Sequence, residues 1–212
     1  MYVLHYYPSN ANLAPHILLE EIGAPYRLEL VDRDKSAHKS PEYLKLNPAG
    51  LIPVLVDGEL ALPETAAICM HLADKHPEAA LAPAIGTGDR AQYYRWFAYL
   101  TNTLQAEILT LSYPERLADD EAGARIVRKH AAQRIAPMLD LIERHVQEHG
   151  PWMLGARYSA VDPFLFVLCR WTRNMPSPAR ARPHIKRLLD ALIARPAAQR
   201  AHEQEELEPP FY

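Results

Sequence analysis

Hydrophobic residues at the start of the chain follow a strand, helix, strand pattern. Val3 to Tyr7 predicts a strand that ends at Pro8, and Leu13 to Ile22 carries helical periodicity with Gly23 placed to end the helix. Tyr26 to Leu30 alternates apolar and polar side chains, as a second strand does. Because a helix connects the two strands, we expect them to be parallel.

The next part of the chain predicts a short helix, a hairpin and a longer helix. Pro41 to Leu46 fits the short helix, and a helix begins at Glu64 and continues to about His76. Between them, Val54–Val56 and Leu60–Leu62 flank Asp57-Gly58, the turn chemistry of two antiparallel strands. The predicted order of the first domain is therefore βαβαββα.

Residues 77–88 are rich in Pro, Ala and Gly and lack sustained periodicity, which indicates a boundary. We predict a first domain at 1–78, a linker at 79–88 and an all-helical domain at 89–212, so that the fold class is α/β plus all-α. The predicted helices of the second domain are 89–111, 120–147, 163–171, 184–194 and 197–205. Ser159 and Asp162 fit a capping-box variant with a structural role, in which the serine oxygen accepts from the N3 amide and the aspartate bonds back to the cap residue.

Composition narrows the class of protein. A net charge of −3, with 49% hydrophobic and 23% charged residues, fits a folded protein and argues against disorder or nucleic-acid binding. Cys69 and Cys169 are too few to staple a fold, so a reducing cytoplasm is expected. We expect no signal peptide and no membrane span. His145 and His149 lack a third ligand, so no metal is predicted.

The most specific motif is NPAGLIPVL at 47–55, followed after the hairpin by PETAAI at 63–68. The X-Pro bond at Ile52–Pro53 holds extended backbone, can be cis, and leaves backbone groups free to pair with a ligand. Glu64 and Thr65 open a helix, where a carboxylate, a hydroxyl and unpaired N–H groups can receive an ammonium and a carboxylate from one ligand. Alternatively, Thr65 only caps the helix and Glu64 only complements its dipole.

These motifs together resemble the glutathione-binding domain of glutathione transferases. The segment from Tyr6 to His16 resembles the strand-to-helix corner of bacterial beta-like members, and Tyr158 to Asp162 is similar to the buried helix cap of their second domain. The resemblance covers nearly the whole chain. It implies a thioredoxin-like first domain that binds glutathione as co-substrate, a helical second domain that binds a small apolar electrophile, and a cytoplasmic homodimer that acts in detoxification.

The resemblance also implies the glutathione contacts. It assigns the backbone of Ile52 to the cysteinyl portion, Pro53 to a cis bond beside it, and Glu64 and Thr65 to the γ-glutamyl end. Lys39 or His38 is expected at the glycine carboxylate, with a solvated surface position as the alternative for both.

The thiol of glutathione titrates near pH 8.5, so an enzyme that uses it must stabilise the thiolate. Family members place Tyr, Ser or Cys at the corner for this purpose. Aligned on Pro8 and on Leu13 to His16, the cysteine position holds Ala11 and the next position holds Asn12. This excludes a mixed disulfide at the corner. Asn12 and Ser9 are the predicted catalytic residues, although Asn12 could be only a cap and Ser9 only a turn residue.

The electrophile pocket is predicted from Tyr7, Tyr99, Gln105 and Tyr113, with Gln105 at a position where beta-like members often have histidine. Core and interface packing is the alternative role for Tyr99, and a solvated helix position is the alternative for Gln105. Conjugation is the expected reaction, and related lyase, dehalogenase and isomerase chemistry stays open. Since no cysteine stands at the corner, a non-catalytic binding or regulatory module is the alternative function.

Overall fold

The computed structural model describes residues 1–212 and contains one mixed sheet of four strands. The strands are β1 (Tyr2–Tyr6), β2 (Tyr26–Leu30), β3 (Val54–Asp57) and β4 (Leu60–Pro63), arranged in the order β2-β1-β3-β4. Strand β1 is parallel to β2 and antiparallel to β3, and β3 is antiparallel to β4. The predicted parallel pair and hairpin are both confirmed.

Three helices accompany the sheet: α1 (Leu13–Ile22), α2 (Pro41–Leu46) and α3 (Thr65–Lys75). Helix α1 connects the parallel strands and ends at Gly23, whose φ of 70° suits a residue without Cβ. Helices α1 and α3 pack against each other. Their apolar faces and the sheet bury the side chains of Leu4, Ile17, Leu55 and Ile68 completely. This βαβαββα unit is the predicted thioredoxin-like fold.

The rest of the chain is helical, as predicted. Its helices are α4 (Gly88–Tyr99), α5 (Ala106–Ser112), α6 (Glu121–His149), α7 (Val161–Trp171), α8 (Pro183–Ile193) and α9 (Pro196–Gln204). The predicted helix at 89–111 is divided by a π-helical turn at Leu100–Gln105. Local side-chain caps define two starts: Thr87 accepts from the N–H of Arg90, and Asp120 accepts from that of Gly123. No helix combines the length and the apolar character needed to cross a bilayer.

Helix α7 is buried from Val161 to Arg170, and a buried carboxylate holds its N-terminus. The Oδ2 atom of Asp162 accepts hydrogen bonds from the N–H (2.8 Å) and the hydroxyl (3.1 Å) of Ser159, and its Oδ1 accepts from the N–H of Met153 (2.9 Å). Burial raises the pKa of Asp162 to about 6. The structural role of this pair is confirmed. The predicted bond from the N3 amide to the serine hydroxyl is wrong, because that amide donates to the serine carbonyl instead.

The chain divides into two units by its contacts: residues 1–82 with 192–211, and residues 83–191 with Tyr212. The first cut lies inside the predicted linker. The predicted boundaries differ at 192–211, because α9 packs on α1. Arg195 forms a bidentate ion pair with Glu21 at 2.5 and 2.8 Å, and Arg200 forms an ion pair with Glu20.

Candidate functional site

Four chain segments that adjoin strand ends meet at one edge of the sheet. The register pairs His5 with Val54 and Val54 with Pro63, so the segments after β1, before β3 and after β4 are neighbours. Tyr6 pairs with Leu30, which brings the segment after β2 to the same edge. The sheet edge therefore gathers Ser9 and Asn12, Lys39, Ile52 and Pro53, and Glu64 and Thr65. These are the predicted catalytic and glutathione-binding residues.

Glu64 and Thr65, which we call the acceptor pair, open helix α3. Glu64 is exposed and has a φ of 72°, a conformation that costs a non-glycine residue roughly 1–3 kcal/mol. Its carbonyl accepts from the N–H of Ile68, but its carboxylate does not cap the helix. Neither side chain has a hydrogen-bond or ion-pair partner in the protein. The strained backbone thus presents an unpaired carboxylate and an unpaired hydroxyl beside the N–H groups of a helix start.

Side-chain hydrogen bonds hold the loop before β3 in place. Its Leu51 carbonyl accepts from the amide of Asn47 and from the hydroxyl of Tyr43, both at 2.8 Å. The Ile52–Pro53 bond is cis, as predicted. Ile52 lies outside both ladders of β3, so its backbone is available at the sheet edge.

Lys39 lies across the same loop. Its exposed ammonium donates to the carbonyls of Ala49 (3.3 Å) and Gly50 (3.2 Å). Gly50 has a φ of 61°, and a Cβ there would come within 2.7 Å of the lysine Nζ. Glycine is required at this position by its backbone conformation and by the His38 backbone carbonyl, which would lie 2.9 Å from such a Cβ, whereas the flexible end of the lysine could move away.

A buried carboxylate organises the corner between β1 and α1. Glu205 is 1% exposed and accepts from the Asn12 Nδ2–H (2.8 Å), the Ser9 backbone N–H (3.1 Å) and His16 Nδ1 (2.9 Å). The Oδ1 atom of Asn12 accepts from the Tyr7 N–H at 3.1 Å. We call Ser9, Asn12, His16 and Glu205 the corner cluster. Asn12 is fully buried and does not cap α1 with its side chain, whereas Ser9 is partly exposed with a φ of 64°.

Sequence reasoning missed two members of the corner cluster. His16 lies on α1 next to Tyr26, whose hydroxyl is 3.1 Å from its Nε2, and Glu205 follows α9. Asn12 and Glu205 are separated by 193 positions in the sequence. No local pattern marks such a pair. A glutamate that follows a polar last helix does not by itself indicate burial, so Glu205 could not be identified from the sequence.

The predicted pocket residue Tyr7 belongs to the first unit. Its hydroxyl donates to the carboxylate of Asp34 at 2.9 Å, and this hydrogen bond raises the pKa of the Tyr7 phenol. Burial, with Glu205 adding to it, raises the pKa of the neighbouring Tyr6. Neither phenol is adapted to release a proton near neutral pH.

The other predicted pocket residues belong to the helical unit. The hydroxyl of Tyr99 donates to the Met138 carbonyl at 3.2 Å, while Gln105 is half-buried on the π-helical turn. Tyr113 lies under the guanidinium of Arg116, 4.1 Å from its ring centroid. The assignment of these four residues to an electrophile pocket stays a prediction.

Cysteine and metal chemistry find little support in the side-chain arrangement. Cys69 and Cys169 are buried, and desolvation raises the pKa of each thiol, that of Cys169 to about 12. No group of three or more His, Cys, Asp or Glu side chains is arranged to hold a metal ion. His145 and His149 stack with ring centroids 4.7 Å apart, and His145 Nε2 lies 2.9 Å from the Met153 carbonyl.

Comparison with known proteins decides the family. The model of the glutathione S-transferase N-terminal domain matches residues 1–74, and that of the C-terminal domain matches residues 120–200. Glutathione S-transferase GST-4.5 of Xanthomonas campestris pv. campestris is 30% identical over 167 residues, which cover 79% of this chain and 80% of that protein. The chain belongs to the glutathione S-transferase family.

Solved structures of glutathione transferases agree with this assignment. A glutathione transferase homologue from Sulfitobacter with bound glutathione has a TM-score of 0.89 and 27% identity, covering 98% of this chain and 99% of that one. The bacterial beta class glutathione S-transferase of Sphingomonas chungbukensis has a TM-score of 0.83 and 26% identity, covering 97% and 100%. The chain is therefore a glutathione transferase.

Proposed function

We propose that this glutathione transferase binds glutathione at the sheet edge, activates its thiol there, and transfers the thiolate to a small apolar electrophile. Conjugation is the reaction we assign: the thiolate sulfur bonds to an electrophilic carbon, and the leaving group on that carbon departs with its electron pair, as halide does from an activated aryl halide. The observation that carries the proposal is the acceptor pair, a carboxylate and a hydroxyl without protein partners at a helix start beside an accessible backbone segment.

The acceptor pair matches the γ-glutamyl end of glutathione. That end carries an ammonium and a carboxylate on one carbon. The Glu64 carboxylate would accept from the ammonium, and the Thr65 hydroxyl with the first N–H groups of α3 would donate to the carboxylate. Charge-assisted hydrogen bonds of this kind contribute about 1.5–3 kcal/mol each, enough to offset the backbone strain at Glu64.

The remaining contacts follow the sheet edge. The N–H and C=O of Ile52 would pair with the cysteinyl backbone, as an added strand does, and the buried Pro53 fixes the direction of that segment. The Lys39 ammonium has three N–H donors, two of which already reach loop carbonyls. The third is the donor we assign to the glycine carboxylate.

Thiolate stabilisation falls to the corner, through Ser9 and Asn12. Asn12 is fully buried and already bound to Glu205 and to the Tyr7 N–H. We therefore assign the direct donor to the more accessible Ser9, and the role of holding the turn to Asn12 and Glu205. Donation to the thiolate lowers the thiol pKa below about 8.5. The apolar electrophile would meet Tyr7, Tyr99, Gln105 and Tyr113.

A cytoplasmic homodimer with a role in detoxification is part of the same proposal. It rests on the family, and the exposed apolar side chains of Leu51 (55% exposed) and Leu60 (44% exposed) would suit a subunit interface. Sedimentation equilibrium tests the dimer, for which the expected mass is twice that of the chain.

Binding to immobilised glutathione tests the site. We expect the unmodified protein to be retained and Glu64→Ala to pass through, with Glu42→Ala, an exposed residue of α2, as the matched control. Equal retention of all three proteins would refute the assignment of the acceptor pair. Retention without product from a panel of activated aryl halides would favour the alternative, a non-catalytic glutathione-binding module, which the absence of a corner cysteine keeps open.

A further inference from the structure

The segment that follows helix α9 borders a cavity that the proposed reaction does not use. It measures about 930 Å³, within the range of ligand pockets, and lies between the end of α8, helix α9 and residues 206–211. All of its lining residues fall between 193 and 211. None of them is assigned to glutathione or belongs to the corner cluster. We call it the C-terminal cavity.

One side of the C-terminal cavity is apolar and carries an aromatic ring. Ile193, Leu207 and Phe211 line it. The ring of Phe211 packs edge to face against the buried ring of His202, with centroids 4.9 Å apart and planes at 76°. His202 is held in turn by its Nδ1, which lies 2.7 Å from the Ala198 carbonyl. The Phe211 ring is thus fixed yet partly exposed, so it offers a face to a cation.

The rest of the rim is acidic. Glu203, Glu206 and Glu208 line the cavity with exposed side chains, and their carboxylates form no hydrogen bond or ion pair within the protein. No lysine or arginine lines the cavity. Arg195 and Arg200, the nearest basic residues in the sequence, are paired with glutamates of α1 instead. Three uncompensated negative charges therefore surround a partly apolar cavity.

The chain reversal after α9 brings these carboxylates together. The N–H groups of Glu206 and Leu207 donate to the carbonyls of Glu203 (3.0 Å) and His202 (2.9 Å), and Glu206 has a φ of 54°. This turn lies at the C-terminus of α9, where the helix dipole is negative and favours cations. Carboxylates at this position repel one another and the dipole, so a bound cation relieves both repulsions.

We propose that the C-terminal cavity binds a small amphiphilic ammonium ion. Its charge lies among Glu203, Glu206 and Glu208, and its apolar body lies against Leu207 and Phe211. The apolar side disfavours metal ions and other strongly hydrated cations, and the carboxylates disfavour anions. This ligand is neither glutathione, which is an anion, nor the apolar electrophile.

Fluorescence titration with dansylcadaverine, whose pentyl chain ends in an ammonium, tests the proposal, and its N-acetyl derivative is the neutral probe. We expect the unmodified protein to bind the ammonium about tenfold more tightly than the neutral probe. The double variant Glu206→Gln/Glu208→Gln should reduce this preference to about twofold. The control, Glu42→Gln/Glu59→Gln, removes two exposed carboxylates outside the cavity and should retain the full preference. Circular dichroism verifies that each variant is folded.

A variant that fills the cavity locates the bound probe. Ala194→Trp leaves the charge unchanged and should weaken the ammonium probe about fivefold, because the indole occupies the space of the ligand. Saturating glutathione should leave the probe in place, since the two sets of contact residues share no member.

Four outcomes overturn the proposal: equal binding of the two probes by the unmodified protein, the same preference in both double variants, no effect of Ala194→Trp, or displacement of the probe by glutathione. Since no arm measures turnover or thiol ionisation, a failure here is distinct from a failure of the transferase proposal.

Discussion

The acceptor pair and the corner cluster lie at the same sheet edge, but only the corner cluster has its side chains hydrogen-bonded within the protein. In the acceptor pair, Glu64 and Thr65 have no protein partner, and the backbone of Glu64 is strained. In the corner cluster, Glu205 accepts from three donors and is buried. Unsatisfied groups on a strained backbone suit reception of a ligand, whereas satisfied buried groups fix the position of the chain around them.

The largest effect is expected from breaking the corner cluster. Glu205→Ala leaves Asn12, His16 and the Ser9 N–H without their buried acceptor, which should lower the free energy of unfolding by about 3 kcal/mol. Urea denaturation measures this loss. Glu203→Ala, an exposed position on α9, is the matched control and should change stability by less than about 0.5 kcal/mol. Equal midpoints for the two variants would show that the cluster does not hold the corner.

The reverse outcome is expected in the acceptor pair. Glu64→Gln removes the charge but keeps the shape, so glutathione should bind about 30-fold more weakly, equivalent to about 2 kcal/mol. Stability should change by less than about 0.5 kcal/mol, because the carboxylate has no protein partner. Calorimetric titration measures the affinity, with the exposed hairpin variant Glu59→Gln as control. A loss of stability without a loss of affinity would reverse the distinction between the two groups.

The choice of sulfur donor sharpens the comparison further. If Ser9 donates directly, Ser9→Ala should raise the pKa of the bound thiol by about one unit, since a donor that favours the thiolate is lost, and Ser9→Thr should restore it. Asn12→Ala should mainly lower stability. Ultraviolet absorbance of the thiolate across pH gives the pKa for each variant. A rise in the pKa of the bound thiol in Asn12→Ala, without a rise in Ser9→Ala, would assign the donor to Asn12 instead.

The smallest effect is expected at Lys39, which is exposed. Lys39→Met should weaken glutathione about threefold, since an exposed charge pair contributes about 0.6 kcal/mol. The affinity for γ-glutamylcysteine, which lacks the glycine, should stay the same. Competition binding with both ligands measures the difference. Equal weakening of the two would place Lys39 away from the glycine carboxylate.

Local chemistry explains what could be predicted from the sequence. The strands, the hairpin at Asp57-Gly58 and the helix starts follow from periodicity, turn residues and caps, all of which act over a few positions. The positions of Ile52, Glu64 and Thr65 at one edge follow from the same order of strands. The cis bond at Pro53 is implied by the family resemblance, and the sequence permits it because X-Pro bonds alone adopt the cis form at low cost.

Long-range packing explains what could not be predicted. The pairing of Asn12 with Glu205 depends on α9 lying against α1, and no pattern within α9 specifies that partner. The same contact places residues 192–211 with the first unit rather than with the helices before them. The π-helical turn at Leu100–Gln105 likewise has no proline or glycine to announce it.

Ultraviolet difference titration of glutathione against the purified protein, repeated across pH, tests the central claim most directly. The account predicts that bound glutathione shows thiolate absorbance well below pH 8.5, because the corner stabilises the anion while the acceptor pair holds the ligand. Absence of binding, or binding only as the neutral thiol, would contradict the account and favour a non-catalytic glutathione-fold module.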